Sequence, residues 1–328
     1  MRLMLIGAGG RLAAQLARSA GGGGGAARRV EVIGIDHARL ELTDHAAIER
    51  VVGEHEFDVL VNCAGYCPPP GQPVDAAQAF EVNALPAGVL AACCRRKRAV
   101  MVQLSGCEVF DGAAGRAYTE QDAPGPITVA GAARAMAERL TLNANPQALV
   151  LRLGRLFGQL RPRAVPANGA AGATTAADHC MSPTRDDAAA PLSPPTLPAD
   201  DIDSLIRHCL DEARLRGRRE LHIGEDRRFS LLYLSDAAAL ILSLLVAKAP
   251  PGVYHLANAG AATGMDIARR VIAAARLQAR VISLNSRSAS THPLRDHSLD
   301  IRRLTGVLGR IPHWSDALDR HLRHDRLL

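Results

Sequence analysis

Aromatic residues are scarce in this chain of 328 residues: one Trp, four Tyr and five Phe, or 3%. That argues against a stacking platform for single-stranded nucleic acid, which relies on rings presented to successive bases. Lysine is scarcer still: Lys97 and Lys248 are the only two, so 37 of the 39 basic residues are arginine. No apolar run approaches the roughly 18 residues a membrane helix needs, so no membrane association is expected. The opening MRLMLIGAGG has a short apolar stretch that stops at glycine, unlike a secretory signal. No Cys-x-x-Cys pair occurs, and no metal site is expected. The seven cysteines (63, 67, 93, 94, 107, 180 and 209) are odd in number and mostly lie in apolar segments. This predicts reduced thiols and a cytoplasmic location rather than a disulfide framework.

What is present is a large apolar fraction. At 48% hydrophobic and 22% charged, the chain can bury the core of one large domain or two ordinary ones. The formal net charge is +6, but the arginines are scattered, with one cluster at Arg95, Arg96, Lys97 and Arg98. A nucleic-acid partner is therefore not expected, and the heavy use of Ala, Gly and Arg fits a composition bias.

The first 150 residues alternate strand and helix patterns. Arg2–Ile6, Val30–Ile35, Phe57–Asn62, Ala99–Leu104 and Ala148–Leu153 read as buried strands. Arg11–Ala20, His45–His55, Ala76–Arg95 and Ile127–Asn143 read as helices, and Gly21–Gly25 as a flexible connection. This rhythm predicts an α/β fold with a doubly wound parallel sheet over residues 1–158. Residues 159–200 are mostly Ala, Pro, Gly, Ser and Thr, which predicts a mobile insertion. Residues 201–328 regain order as a smaller C-terminal α/β substrate-binding part, some segments of which return to the first domain. Helices are expected at Ile202–Arg216, Ser235–Leu245 and Gly264–Ala275, and strands at Glu220–Ile223 and Val253–Leu256.

The segment LIGAGGRLAAQL spaces Gly7, Gly10 and Ala13 as G-x-x-G-x-x-A between a strand and a helix. In a Rossmann-type site the first glycine makes the turn and the second lets the backbone approach a pyrophosphate. The small third residue brings the helix close to the sheet, and the helix N-terminus faces the phosphates. The expected cofactor is NAD or NADP. Asp36 ends the second strand, where a carboxylate can accept bonds from the adenine ribose and favour NAD. Arg11 and Arg39 can instead pair with a 2′-phosphate and favour NADP, and Asp44 is a candidate for the adenine edge.

The ordered segments LIGAGGRLA, LELTD, DVLVNCAGY, FEVNA, VQLSGCEVFDG, RAYTEQDAPGPITVAG, LRLGRLFG, GVYHLANAG and SLD resemble the extended short-chain dehydrogenase/reductase superfamily. The likeness is greatest to the dTDP-4-dehydrorhamnose reductase and sugar-nucleotide-binding family. It implies a Rossmann fold, a nicotinamide cofactor and a small, nucleotide-linked substrate, with a homodimer as the expected assembly. It also adds Leu12, Cys63, Ala64 and Gly65 to the cofactor-binding candidates Gly7, Gly10, Arg11, Asp36 and Asp44.

The resemblance implies an acid–base triad too, and this chain departs from it. In the pattern S-T-D-Y-V-F the hydroxyl position is Gly106, and in V-Y-G-x-x-K the tyrosine and lysine positions are Ala130 and Arg134. No alternative pair exists: four residues after Tyr66, Tyr118, Tyr233 and Tyr254 stand Pro70, Asp122, Ala237 and Asn258. Arg134 keeps the lysine's charge and can hold a ribose or an anion, but it is no acid at neutral pH. Two neighbours are candidate substitutes. Glu108 could serve as a general acid if burial raises its pKa, or it is simply an ion-paired carboxylate. Cys107 could serve as a nucleophile or weak acid, or it is a buried small residue. Three functions follow, in this order: an enzyme of altered chemistry in a biosynthetic pathway, an inactive nucleotide-binding regulatory or scaffold subunit, and an ordinary sugar-nucleotide 4-keto reductase.

Overall fold

The computed structural model describes residues 1–21, 30–68, 73–158, 201–224, 227–283, 295–324 and 327. The expected insertion at 159–200 and most of the glycine run lie outside the described residues. The N-terminal elements are β1 (Arg2–Ile6), α1 (Arg11–Gly21), β2 (Glu31–Ile35), α2 (His45–Glu54), β3 (Val59–Asn62), α3 (Ala76–Asn83), α4 (Leu85–Lys97), β4 (Val100–Gly106), α5 (Val129–Ala144), β5 (Leu149–Leu153) and β6 (Arg155–Phe157). After residue 200 come α6 (Ile202–Leu210), β7 (Glu220–Ile223), β8 (Arg227–Phe229), β9 (Leu231–Tyr233), α7 (Leu234–Val246), β10 (Gly252–Leu256), β11 (Ala262–Thr263), α8 (Gly264–Ala274), β12 (Arg280–Ser283), β13 (Arg295–His297), α9 (Arg302–Leu308) and α10 (Trp314–His324).

Six strands form one parallel sheet in the order β2-β1-β3-β4-β5-β10. Strand alternation divides its core between two faces. Leu3, Leu5, Val61 and Val102 pack with α1 and α7, while Met4, Ile6, Leu60 and Met101 pack with α2 and α4. A separate cluster around Phe157, Ile206, Leu231, Ile267 and Leu318 holds the C-terminal elements together. The strand order reverses at β1, which has β2 on one side and β3 on the other. In open α/β sheets, ligands bind at such a switch point, beyond the carboxyl ends of the strands.

The doubly wound sheet is the predicted one, with local differences. The single helix expected over Ala76–Arg95 is two helices, because Pro86 at the start of α4 cannot donate to the preceding turn. By length and composition alone the stretch Ala76–Lys97 could cross a membrane, yet Leu90, Ala91 and Cys94 are buried in the core of this fold. The helix expected to reach Arg216 leaves α-geometry after Leu210 and ends in a π-turn, closed by Arg216 N–H donating to Asp211 O (3.2 Å). Cys63, Cys93, Cys94, Cys107 and Cys209 are free thiols, but Cys67 is disulfide-bonded, contrary to the expectation of uniformly reduced cysteines.

Candidate functional site

The glycine turn is built by hydrogen bonds to its neighbour strand and to itself. Gly7 and Ala8 N–H both donate to Ile35 O (2.8 and 3.0 Å), and Gly10 N–H donates to Gly7 O (3.0 Å). Gly7 takes φ +77°, and a Cβ there would lie 2.7 Å from Ala64 N and Cα. Only glycine lets the turn sit against the end of β3. A Cβ at Gly10 would meet only backbone oxygens, Gly7 O at 3.3 Å and Cys63 O at 4.0 Å. Beyond the turn, α1 starts with no acidic residue in its first turn, so its first N–H groups and dipole favour an anion.

A cavity of about 510 Å³ opens at the carboxyl ends of β1 and β3, within the usual range for small-molecule sites. Gly7, Gly10, Asp36, Cys63, Ala64 and Gly65 all line it, so residues separated in sequence meet where the glycine pattern predicts. Burial pushes the Cys63 thiol up to about 12, so it is a neutral wall group. Tyr66 and Glu81 also line the cavity, which the sequence did not indicate. Asn83, from the FEVNA segment, fixes the loop after β3: its amide donates to Tyr66 O (3.0 Å) and accepts from Tyr66 N–H.

Several cofactor candidates are placed otherwise than expected. The Leu12 side chain is 7% exposed and belongs to the core, leaving only its backbone for a ligand. Asp44 caps α2 by accepting from Ala47 N–H (2.9 Å) and is not among the residues lining the cavity. Arg11 donates to Asp203 Oδ2 (3.2 Å) instead of standing free. Arg39 likewise turns back to donate to Gly34 O (3.2 Å), while Asp36 stays on the cavity wall.

The vacated triad lies where β4 ends and α5 begins. Thr128 caps α5 by accepting from Gly131 N–H (3.0 Å), which sets Ala130 and Arg134 on its first turns. Gly106 is followed by a 3₁₀ turn, Cys107–Val109, that brings the Glu108 carboxylate back over it. A Cβ at Gly106 would collide with Glu108 Oε2, so the carboxylate fills the space where a side chain at this position would begin. A Cβ at Gly131 would likewise collide with Glu108 O, so Gly131 lets α5 close on this turn.

Glu108 is not the raised-pKa acid that sequence reasoning offered. Burial does push it up, but Arg134 (3.4 Å to Oε2) and Arg155 (3.0 Å to Oε1) outweigh burial and hold it at about 2. It is a carboxylate at neutral pH. Cys107 is 1% exposed, and burial, reinforced by the Glu108 charge, pushes its thiol up to about 12. It is therefore no thiolate nucleophile at neutral pH. Arg134 does not stand free beside the cavity, because it is ion-paired to Glu108. Arg155 was missed. It lies in the matching LRLGRLFG segment, but nothing local to that segment shows that its guanidinium donates to Glu108 Oε1 (3.0 Å). His297 on β13 also reaches this end, against the backbone of Gly112. Burial, then Arg155 and Arg227, lower its pKa.

Behind Gly106 runs a buried polar row. Ser105, Arg152 and His255 are register partners across β4, β5 and β10. Glu138 from α5 accepts from Ser105 Oγ (2.5 Å) and binds Arg152 through Nε (3.0 Å) and Nη2 (2.7 Å). Burial and the Arg152 charge lower His255 to about 4, so it is neutral at pH 7.

Comparison with known proteins gives the family and the fold. The family model of the RmlD substrate binding domain matches residues 1–189. The dTDP-4-dehydrorhamnose reductase of Aggregatibacter actinomycetemcomitans is 30% identical over 158 residues, 48% of this chain and 52% of that protein. This chain thus matches about half the length of that relative. Among solved structures, a dTDP-4-dehydrorhamnose reductase from Clostridium acetobutylicum superposes with a TM-score of 0.76 at 19% identity, covering 99% of this chain and 100% of that one. The Bacillus anthracis dTDP-4-dehydrorhamnose reductase in complex with NADP gives 0.72 at 20% identity, covering 98% and 99%. At such identities the likeness establishes the fold.

Proposed function

The chain belongs to the RmlD substrate binding domain family, and from that premise we propose that it binds a nicotinamide dinucleotide between β1 and β3 and a small, nucleotide-linked carbonyl compound beside it. The residues present fit the cofactor. The start of α1 has no acidic residue in its own first turn, Gly10 has only backbone oxygens near its missing Cβ, and Asp36 lines the cavity. With Arg39 turned to Gly34 O and Asp36 on the wall, NAD is favoured over NADP.

A bound nicotinamide supplies a hydride to a substrate carbonyl. The names of the relatives favour sugar-nucleotide 4-keto reduction, the function that the sequence ranked last. What sets this chain apart is proton delivery. One observation carries the reading: the Glu108 carboxylate, held by Arg134 and Arg155, stands where the Cβ of a side chain at position 106 would stand. A carboxylate flanked by two guanidiniums orients polar groups by accepting hydrogen bonds, while Arg134 and Arg155 donate them. It supplies no proton at neutral pH. Glu108 is 23% exposed, so water reaches this end and is the proton source of the reductase reading. The loss of general acid catalysis, worth about 10²–10⁴-fold, makes turnover slow.

A second reading is a nucleotide-binding subunit without turnover. It is favoured by the protonation equilibria at the triad, about 2 for Glu108 and about 12 for Cys107, neither of them near neutrality. The two readings separate in one assay, loss of NADH absorbance with dTDP-4-dehydrorhamnose as substrate. Slow turnover that Glu108→Gln alters supports the first, and dinucleotide binding without turnover supports the second. Fast turnover unaffected by Glu108→Gln overturns both.

A further inference from the structure

Arg11 is the first residue of α1, immediately after Gly10. A cation at a helix N-terminus faces the positive end of the dipole and is ill placed unless an anion sits beside it. Asp203 supplies that anion from outside the N-terminal segment. It lies on α6, is 3% exposed, and accepts from Arg11 Nη1 at 3.2 Å. The carboxylate is itself anchored: Gly158 N–H donates to its other oxygen (2.9 Å), and His321 Nε2 stands 3.6 Å from that same oxygen. Its place in the first turn of α6 adds a favourable helix dipole.

The two partners differ in what they can still do. Asp203 has both oxygens engaged and almost no exposed surface. Arg11 is 26% exposed and, with five N–H donors in a rigid fork, has more to offer than the one bond to Asp203. The guanidinium is therefore held by one edge, on the first residue of α1, the helix whose start favours phosphate.

We infer that Asp203 is a positioning residue for the dinucleotide: it holds Arg11 so that the guanidinium pairs with the cofactor's diphosphate at the start of α1. The inference rests on the dinucleotide reading above and extends it to a residue some 190 positions away in sequence. It also links the cofactor turn to the C-terminal elements, because α6 packs in their core through Ile202, Leu205 and Ile206.

The test is a double-mutant cycle on the full chain, with NADH as the titrant in calorimetry. Arg11→Gln should weaken NADH about tenfold, the worth of one charge-assisted hydrogen bond. Asp203→Asn should weaken it to a similar degree, and the double variant should be no worse than Arg11→Gln. A merely structural Asp203 would instead add its own loss to that of Arg11→Gln. If Asp203→Asn does not fold, Asp203→Glu shifts the charge by one methylene and should weaken NADH in the native background but not beside Arg11→Gln. Additive losses, or an unchanged affinity in the Asp203 variant, overturn the inference alone. Failure of the unmodified chain to bind NADH overturns the dinucleotide reading and this inference with it.

Discussion

The Glu108 carboxylate occupies the space that a side chain at Gly106 would need. The glycine is thus complementary to the glutamate two residues on, and the pair acts as one feature. Arg134 and Arg155 complete it by binding one carboxylate oxygen each. Restoring a single triad residue therefore does not restore a triad.

Gly106→Thr should destabilise the protein by about 1–3 kcal/mol, as expected for overpacking a filled site. The loss should shrink when Glu108→Ala is added, because the space is then free. Thermal melting of the two singles and the double measures this. Equal losses in both backgrounds would mean that the carboxylate is not the obstacle.

Glu108 is held at about 2, below its ordinary 4.5. A depressed carboxylate contributes stability that is present above the unfolded value and is lost as pH falls through the folded one. The stability advantage of the native chain over Glu108→Gln should be constant above about pH 4.5 and decline from there toward pH 2. Denaturant midpoints taken from pH 7 downward report it, and a difference that does not change with pH would contradict the ion-pair clamp.

Asp36→Ala should weaken NADH about tenfold and leave NADPH unchanged or improved, since the carboxylate accepts from a ribose hydroxyl and repels a 2′-phosphate. Equal losses for both cofactors would show that Asp36 shapes the cavity without reading the ribose.

Glu138→Ala should cost about 3–5 kcal/mol, because it strands the buried Arg152 guanidinium. Arg152 and Glu138 are 4% and 5% exposed, so water cannot compensate. Chemical denaturation measures the loss, and a cost below about 1 kcal/mol would place the pair in a wetter setting than the structure shows.

Much of the framework was legible in the chain. β1, the glycine turn and the start of α1 are set by local rules, a short apolar run, a positive-φ glycine and a helix start, and they read correctly from a dozen residues. Gly7, Gly10 and Asp36 could be placed on one cavity because the β-α-β rhythm fixes which strand ends meet. The state of Glu108 could not be read in the same way. Its neighbours Arg134 and Arg155 come from α5 and β6, and whether burial or ion pairing governs the carboxylate depends on distances of 3.4 and 3.0 Å between distant segments. Asp44 illustrates a competing local role: an Asp before a helix is first of all a cap. Pro86 divides the helix read over Ala76–Arg95, since proline removes a donor near a helix start. Short strands such as β11 and β13 carry too few residues for a periodic pattern, and their partner β8 is far away in sequence.

The most direct measurement is a calorimetric titration of the unmodified chain with NADH, repeated with Gly10→Val. A single-site isotherm for the native chain is expected, with affinity lost in the variant because a branched side chain at position 10 fills the approach to the helix start. No heat of binding up to millimolar NADH or NADPH, or an unchanged isotherm in Gly10→Val, would contradict dinucleotide binding at this turn.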